Sequence, residues 1–112
     1  MSFERGDLLL IPFPFTDLSA AKQRPVLALT AANARGDFVG LPVTSREQGE
    51  PALPLLDAEL ASGALPRASW IKVDHPVTLH AGLARKVVAR VRPVTVDEAA
   101  RRLCAAVKTH ED

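Results

Sequence analysis

Two short stretches carry side chains suited to handling a phosphodiester. The first is Lys22-Gln23-Arg24-Pro25, where a guanidinium precedes a proline; the second is Thr44-Ser45-Arg46, at the end of an apolar run. A planar guanidinium matches two phosphate oxygens at once, and a hydroxyl donates a single hydrogen bond to the same group. RNA cleavage by internal transesterification uses the substrate's own 2′-hydroxyl as nucleophile. The protein then has to align the strand, move protons and stabilise charge on phosphate. Arg24 suits the charge stabilisation and Thr44 could donate to the same phosphate. Lys22, Ser45 and Arg46 border the presumed cleft as contacts to the nucleic-acid backbone, or else are ordinary solvated loop residues. For Arg24 the competing role is a structural salt bridge to Asp17; for Thr44, it is that of an ordinary strand-end hydroxyl.

Other chemistries have weaker support. His75, His80, His110 and Cys104 share no recognised metal-ligand spacing, so no metal and no cofactor are expected. No serine or cysteine sits in a nucleophile elbow, and no glycine-rich loop follows the first strand. Cys104 reads as a small core or boundary residue.

The elements that must position these groups are short strands. Leu8–Phe13 is continuously apolar, as for a strand buried on both faces, and Pro12 and Pro14 mark its end or a sheet edge. Thr16–Arg24 reads as a loop in which Phe15 either stacks on a base or joins the core. Val26–Thr30 and Phe38–Thr44 are the next strands, joined through turn residues Asn33, Gly36 and Asp37. Pro51–Leu56 reads as an edge strand, and Asp57–Pro66 as one helical turn closed at Gly63. Ser69–Asp74 alternates, with Trp70 and Lys72 opposite Ile71 and Val73; Trp70 is assigned to core or interface. Pro76–Leu79 and Ala84–Val91 are extended, the latter punctuated by Arg85, Lys86, Arg90 and Arg92 on a solvated face. Pro93 ends that strand. Thr95 and Glu98 have capping-box spacing, and Val96, Ala99, Ala100, Leu103 and Val107 form the apolar stripe of a final helix, with Arg101, Arg102 and Lys108 on its other side. The result is a single, mostly-β (α+β) domain over residues 1–112, with five to seven strands and a C-terminal helix.

With 112 residues, 47% of them hydrophobic, the chain can bury one modest core and is not intrinsically disordered. Its net charge is only +1, so a basic site must be local. A single cysteine excludes an intrachain disulfide and fits a reducing compartment. No leader opens the chain, and no apolar run approaches the roughly 20 residues that span a bilayer. A cytoplasmic protein without membrane contact is expected.

The run GDLLLIPFPFTDLS…KQRPVLAL closely resembles the start of the PemK/MazF-like toxins, small endoribonucleases of bacterial toxin–antitoxin pairs. Pro42-Val43-Thr44-Ser45, Ala68–Asp74 and the final amphipathic helix match in the same order. The resemblance implies an SH3-like small β-barrel and an arginine and threonine acting as catalytic pair, here Arg24 and Thr44. It also implies acid–base work for the arginine, although a guanidinium titrates above about 12 and is a poor base. Gln23 stands where some relatives carry a histidine, so any proton transfer by that imidazole is missing and a slower enzyme is expected. Further implied are single-stranded RNA as substrate, a symmetric homodimer and a cognate antitoxin that blocks the groove. Two alternatives share the fold: a non-catalytic, gyrase-poisoning type of toxin, disfavoured by the polar Lys108–Asp112 end, and a degenerate member that binds RNA or antitoxin without turnover.

Overall fold

The computed structural model describes residues 2–14 and 21–108; Phe15, Asp17 and His110, and with them the base-stacking and salt-bridge expectations, lie outside the described residues. Eight strands run in the order β1 (Asp7–Pro14), β2 (Ala21–Ala28), β3 (Asp37–Thr44), β4 (Leu53–Leu55), β5 (Leu60–Gly63), β6 (Ser69–Ile71), β7 (Val77–His80) and β8 (Lys86–Val91), before one helix, α1 (Pro93–Val107). All pairings are antiparallel, in the order β4-β6-β3-β2-β1-β8-β5, with β7 also on β3. The outermost strands β4 and β5 are joined by residues 56–59 alone. The two ends of the sheet therefore lie close together, and the fold is a nearly closed barrel with a C-terminal helix.

Continuous hydrophobicity in β1 corresponds to burial on both faces. Leu8 joins Leu27, Leu41, Ile71 and Val91 in one cluster, while Leu9 and Ile11 join Val26, Ala28 and Phe38 in another. The first cluster is closed by Val96 and Ala99 of α1. The second is flanked by Phe3, whose ring meets that of Phe38 edge-on at 4.8 Å, and by Leu79 and Ala84. Beyond Leu10, β1 has β2 as its only partner among the described residues. Pro12 and Pro14 fall in this one-sided stretch, where a missing N–H disturbs no second ladder.

Several expectations need correction. β2 starts at Ala21, not Val26, so Lys22, Gln23 and Arg24 belong to a strand paired with Phe13, Pro12 and Ile11, not to a loop. Pairing with the extended, proline-stiffened end of β1 outweighs the polar character of these residues. Leu60–Gly63 is a strand on β8 instead of part of a helical turn, the only helical residues there being a 3₁₀ turn at Asp57–Glu59. Gly63 permits it: its φ is +76°, and a Cβ there would stand 2.5 Å from the Val88 carbonyl oxygen. Pro93 does not merely end a strand but opens α1 at its first turn, where its missing N–H and fixed φ cost nothing. Thr95 is consequently buried inside the helix and caps nothing, while Thr95 and Val96 donate their N–H groups to the Arg92 carbonyl. Toward the C-terminal end the apolar stripe turns away from the barrel, leaving Val107 and Cys104 exposed. Arg90 is not simply solvated either. It pairs with Glu4 and, at 3.3 Å, with the buried Asp7, tying the N-terminal segment to β8.

Glu98, freed from capping, accepts from Arg101 (2.8 and 2.7 Å) and from Arg102 (2.8 Å). Arg102 also donates to the carbonyls of Pro51 and Ala52, bolting the helix to the segment before β4. Among the described residues, no helix is long and apolar enough to cross a membrane.

Two stability predictions follow from these contacts. Hydrogen bonds from Arg101, then Arg102, hold the Glu98 carboxyl down at about 2, against its ordinary 4.5. The folded state thus favours the ionised form, and this contribution is complete above about pH 4.5 and lost as pH falls through about 2. Glu98→Gln should flatten the acid limb of the urea-midpoint-against-pH curve in that window; both guanidiniums are at least partly solvated, so 0.5 M salt should shrink the difference. A Cβ at Gly40, in β3, would lie 2.4 Å from Val26 Cγ1 in the core. Gly40→Ala should therefore cost about 1–3 kcal/mol in chemical denaturation, and combining it with Val26→Ala should cost less than the sum of the two single changes.

Candidate functional site

The β2–β3 hairpin sets the site's geometry. Its register pairs Ala28 with Gly40, Leu27 with Leu41 and Val26 with Pro42. Continued two residues past the last pair, the same register brings Arg24 opposite Thr44. Both residues line two adjoining clefts. One, of about 410 Å³, also takes in Lys22, Gln23, Ser45 and Arg67; the other, of about 510 Å³, takes in Arg46, Gln48 and Lys72. All six residues that sequence reasoning nominated thus lie on one concave surface.

The hydroxyl of Thr44 is held by a local turn. Its Oγ1 accepts the Arg46 N–H at 3.1 Å, which leaves the hydroxyl proton to donate elsewhere. The same contact folds the Thr44–Arg46 segment so that Ser45 lines one cleft and Arg46 the other. Gln48 follows on that loop, its amide donating to the Arg46 carbonyl.

Charge is distributed unevenly over the molecule. Lys22, Arg24, Arg46, Arg67 and Lys72 line the clefts, and no carboxylate does among the described lining residues. Five of the carboxylates elsewhere are engaged by other arginines: Asp97 by Arg5, Asp37 by Arg35, Glu4 and Asp7 by Arg90, and Glu98 by Arg101 and Arg102. Lys22, Arg46, Arg67 and Lys72 form no ion pair with the described residues. A chain of net charge +1 thereby presents a strongly cationic concavity, which suits a polyanion.

Arg67, Lys72 and Gln48 escaped sequence reasoning. Lys72 had a usable signal, since it alternates with the buried Ile71 and Val73 just after β6. Arg67, between β5 and β6, had none. Trp70 is half-buried and pairs across the ladder with Thr44 and Pro54, but lines neither cleft. The histidines have local roles: His75 Nδ1 meets Asp74 at 2.8 Å, and His80 Nδ1 accepts the Gly82 N–H at 2.9 Å. Among the described residues, no three His, Cys, Asp or Glu side chains are grouped so as to hold a metal ion.

A family model for the PemK-like, MazF-like toxin of type II toxin–antitoxin systems matches residues 4–107. Among solved structures, the MazE–MazF complex of Deinococcus radiodurans superimposes with a TM-score of 0.75 at 21% identity, over 98% of this chain and 99% of that one. An endoribonuclease in complex with its cognate antitoxin, from a mycobacterial species, gives 0.73 at 18% identity over 95% of each chain. Mycobacterium tuberculosis toxin MazF-mt6 gives 0.69 at 19% over 89% of this chain and 94% of that one. At such identities the likeness establishes the barrel and nothing finer. No curated protein matches in sequence. With the family's signature running through nearly all of its length and the barrel to go with it, the chain belongs to the PemK-like, MazF-like toxins of type II toxin–antitoxin systems.

Proposed function

We propose that this chain is a toxin that cuts single-stranded RNA as a metal-independent endoribonuclease, with Arg24 and Thr44 as its catalytic residues. The observation that carries this reading is their convergence, from opposite strands of one hairpin, on a surface lined by cations and free of described carboxylates. Lys22, Ser45 and Arg46 hold the RNA backbone beside them, and Gln23 also binds the RNA. The partners are a cognate antitoxin, as in the solved MazE–MazF complexes, whose acidic side chains would compete for the same cations, and a second copy of the chain in a homodimer. The setting is the cytoplasm.

In the proposed step the 2′-oxygen attacks phosphorus and the bond from phosphorus to the 5′-oxygen breaks. The Arg24 fork lies against the non-bridging oxygens as negative charge builds there, and the Thr44 hydroxyl donates to the same group. The 2′-proton passes to water and the departing 5′-oxygen takes a proton from water. The products are a 2′,3′-cyclic phosphate and a 5′-hydroxyl, which accounts for every atom. With Gln23 before the arginine and neither imidazole nor carboxylate among the described lining residues, the proposed step draws its proton transfers from water.

Purified protein incubated with a defined single-stranded RNA in EDTA should yield cyclic-phosphate fragments. Arg24→Ala and Thr44→Ala should each lower kcat by about 10²-fold or more, in protein that circular dichroism shows to be folded. Growth arrest without RNA fragments would instead favour the non-catalytic class. The pH dependence gives a separate check: log kcat/KM should show no inflection between about pH 6 and pH 8. A bell centred there would reveal a titrating side chain and overturn the water-mediated transfer.

A further inference from the structure

The two clefts meet at a waist. Arg24, Val43 and Thr44 line both, while Lys22, Arg67 and the Leu65–Pro66 wall belong to one lobe only and Arg46, Gln48 and Lys72 only to the other. Resting on the nuclease reading, we propose that the RNA strand crosses the waist so that each lobe grips a phosphate flanking the one being cut, with Arg67 and Lys72 as substrate-binding residues, one per lobe.

Both cations stand on pinned backbone. The Lys72 N–H donates to the Pro42 carbonyl at 2.9 Å, and the Lys72 carbonyl accepts from His75 at 3.1 Å. The Arg67 carbonyl accepts the hydroxyl of buried Ser69 at 3.0 Å. Each side chain therefore starts from an anchored backbone, and among the described residues no acid pairs with it, unlike Arg90, Arg101 and Arg102. A groove holding one phosphate would need only the waist. Two cationic lobes on either side of it suit a polyanion that continues in both directions. The Leu65–Pro66 wall further gives the Arg67 lobe an apolar surface for an unpaired base, with the Gln23 amide able to bond a base edge. The Lys72 lobe is polar apart from Pro42 and Val43. Base selectivity accordingly belongs to the Arg67 side and backbone grip to both.

The test uses a fluorescein-labelled 2′-O-methyl oligouridylate octamer, which lacks the nucleophile and cannot be cut, with anisotropy read across a salt series. Arg67→Ala and Lys72→Gln should each weaken binding about tenfold at low salt and reduce the slope of log K against log salt by about 0.7, the double variant by twice that. With a dinucleotide, too short to fill both lobes, the double variant should lose no more than the worse single one. Arg85→Ala, which removes an exposed cation outside the clefts, should change neither. On cleavable RNA, Arg67→Ala and Lys72→Gln should raise KM with kcat within about twofold. An unchanged salt slope in either variant, or equal additivity for octamer and dinucleotide, would overturn the two-lobed track while leaving the nuclease reading intact. Wild-type protein that binds the octamer through both cations yet leaves RNA uncut would uphold the track and sink the nuclease. No binding of the octamer would end both.

Discussion

The register of one hairpin governs this molecule. A turn at Asn33 sets it: the Asn33 N–H donates to the Asp37 carbonyl at 2.8 Å, and its side-chain oxygen accepts the N–H groups of Arg35 and Asp37, both at 3.0 Å. From that point the strands zip with a fixed pairing as far as Val26 and Pro42, and Arg24 and Thr44 follow two residues beyond on either strand. A slip of one residue would invert every side chain of one strand, sending Leu27 or Leu41 out of the core and Arg24 or Thr44 on the same strand out of the cleft. Core and site therefore depend on the same constraint. The apolar residues of β2 and β3 select the register because it buries them, and the polar residues past the end of the ladder are placed as a result.

Charge follows a comparable division of labour. Structural arginines are paired: Arg90 secures the N-terminal segment through Glu4 and Asp7, and Arg102 bolts the helix to the carbonyls before β4 while Glu98 holds it. Local pairing of that kind engages Glu4, Asp7 and Glu98 away from the clefts. What remains around Arg24 and Thr44 is an excess of cations that the near-neutral total conceals. The composition could say only that a basic site must be local, and pairing decides where.

Much of the architecture was legible because it rests on burial. The unbroken Leu8–Ile11 run is buried on both sheet faces, the alternation around Ile71 and Val73 matches their burial, and the proline-rich segment before Leu56 yields an edge strand. Elements decided by partners, not by their own residues, were hidden. Leu60–Gly63 has helix-forming alanine and leucine, yet β8 claims it as a strand. Thr95 and Glu98 have the spacing of a cap, yet Pro93 starts the helix early and turns Thr95 inward. Lys22–Arg24 looked like a loop because β1's contribution to their pairing is invisible locally. The nominated residues were reached through chemistry and resemblance, whereas Arg67 becomes visible only when the 65–69 segment folds back beside them.

The cleft itself has a backbone cause. Leu29 donates its N–H to the Val39 carbonyl, so residues of odd number form the hydrogen-bonded pairs of the β2–β3 ladder. The next such pair after Leu27 and Leu41 would be Pro25 with Val43. Pro25 has no N–H to give, so that rung cannot be completed and the ladder ends at Val26 and Pro42. Pro42, at a position that makes no ladder bond to β2, turns its carbonyl instead to Lys72. Arg24 and Thr44 follow just beyond the last ladder pair, one on each strand, and both line the clefts. The proline beside the arginine is thus more than a stiffener of its neighbour: it denies the sheet one hydrogen bond where the paired ladder ends, and it lines the cleft itself.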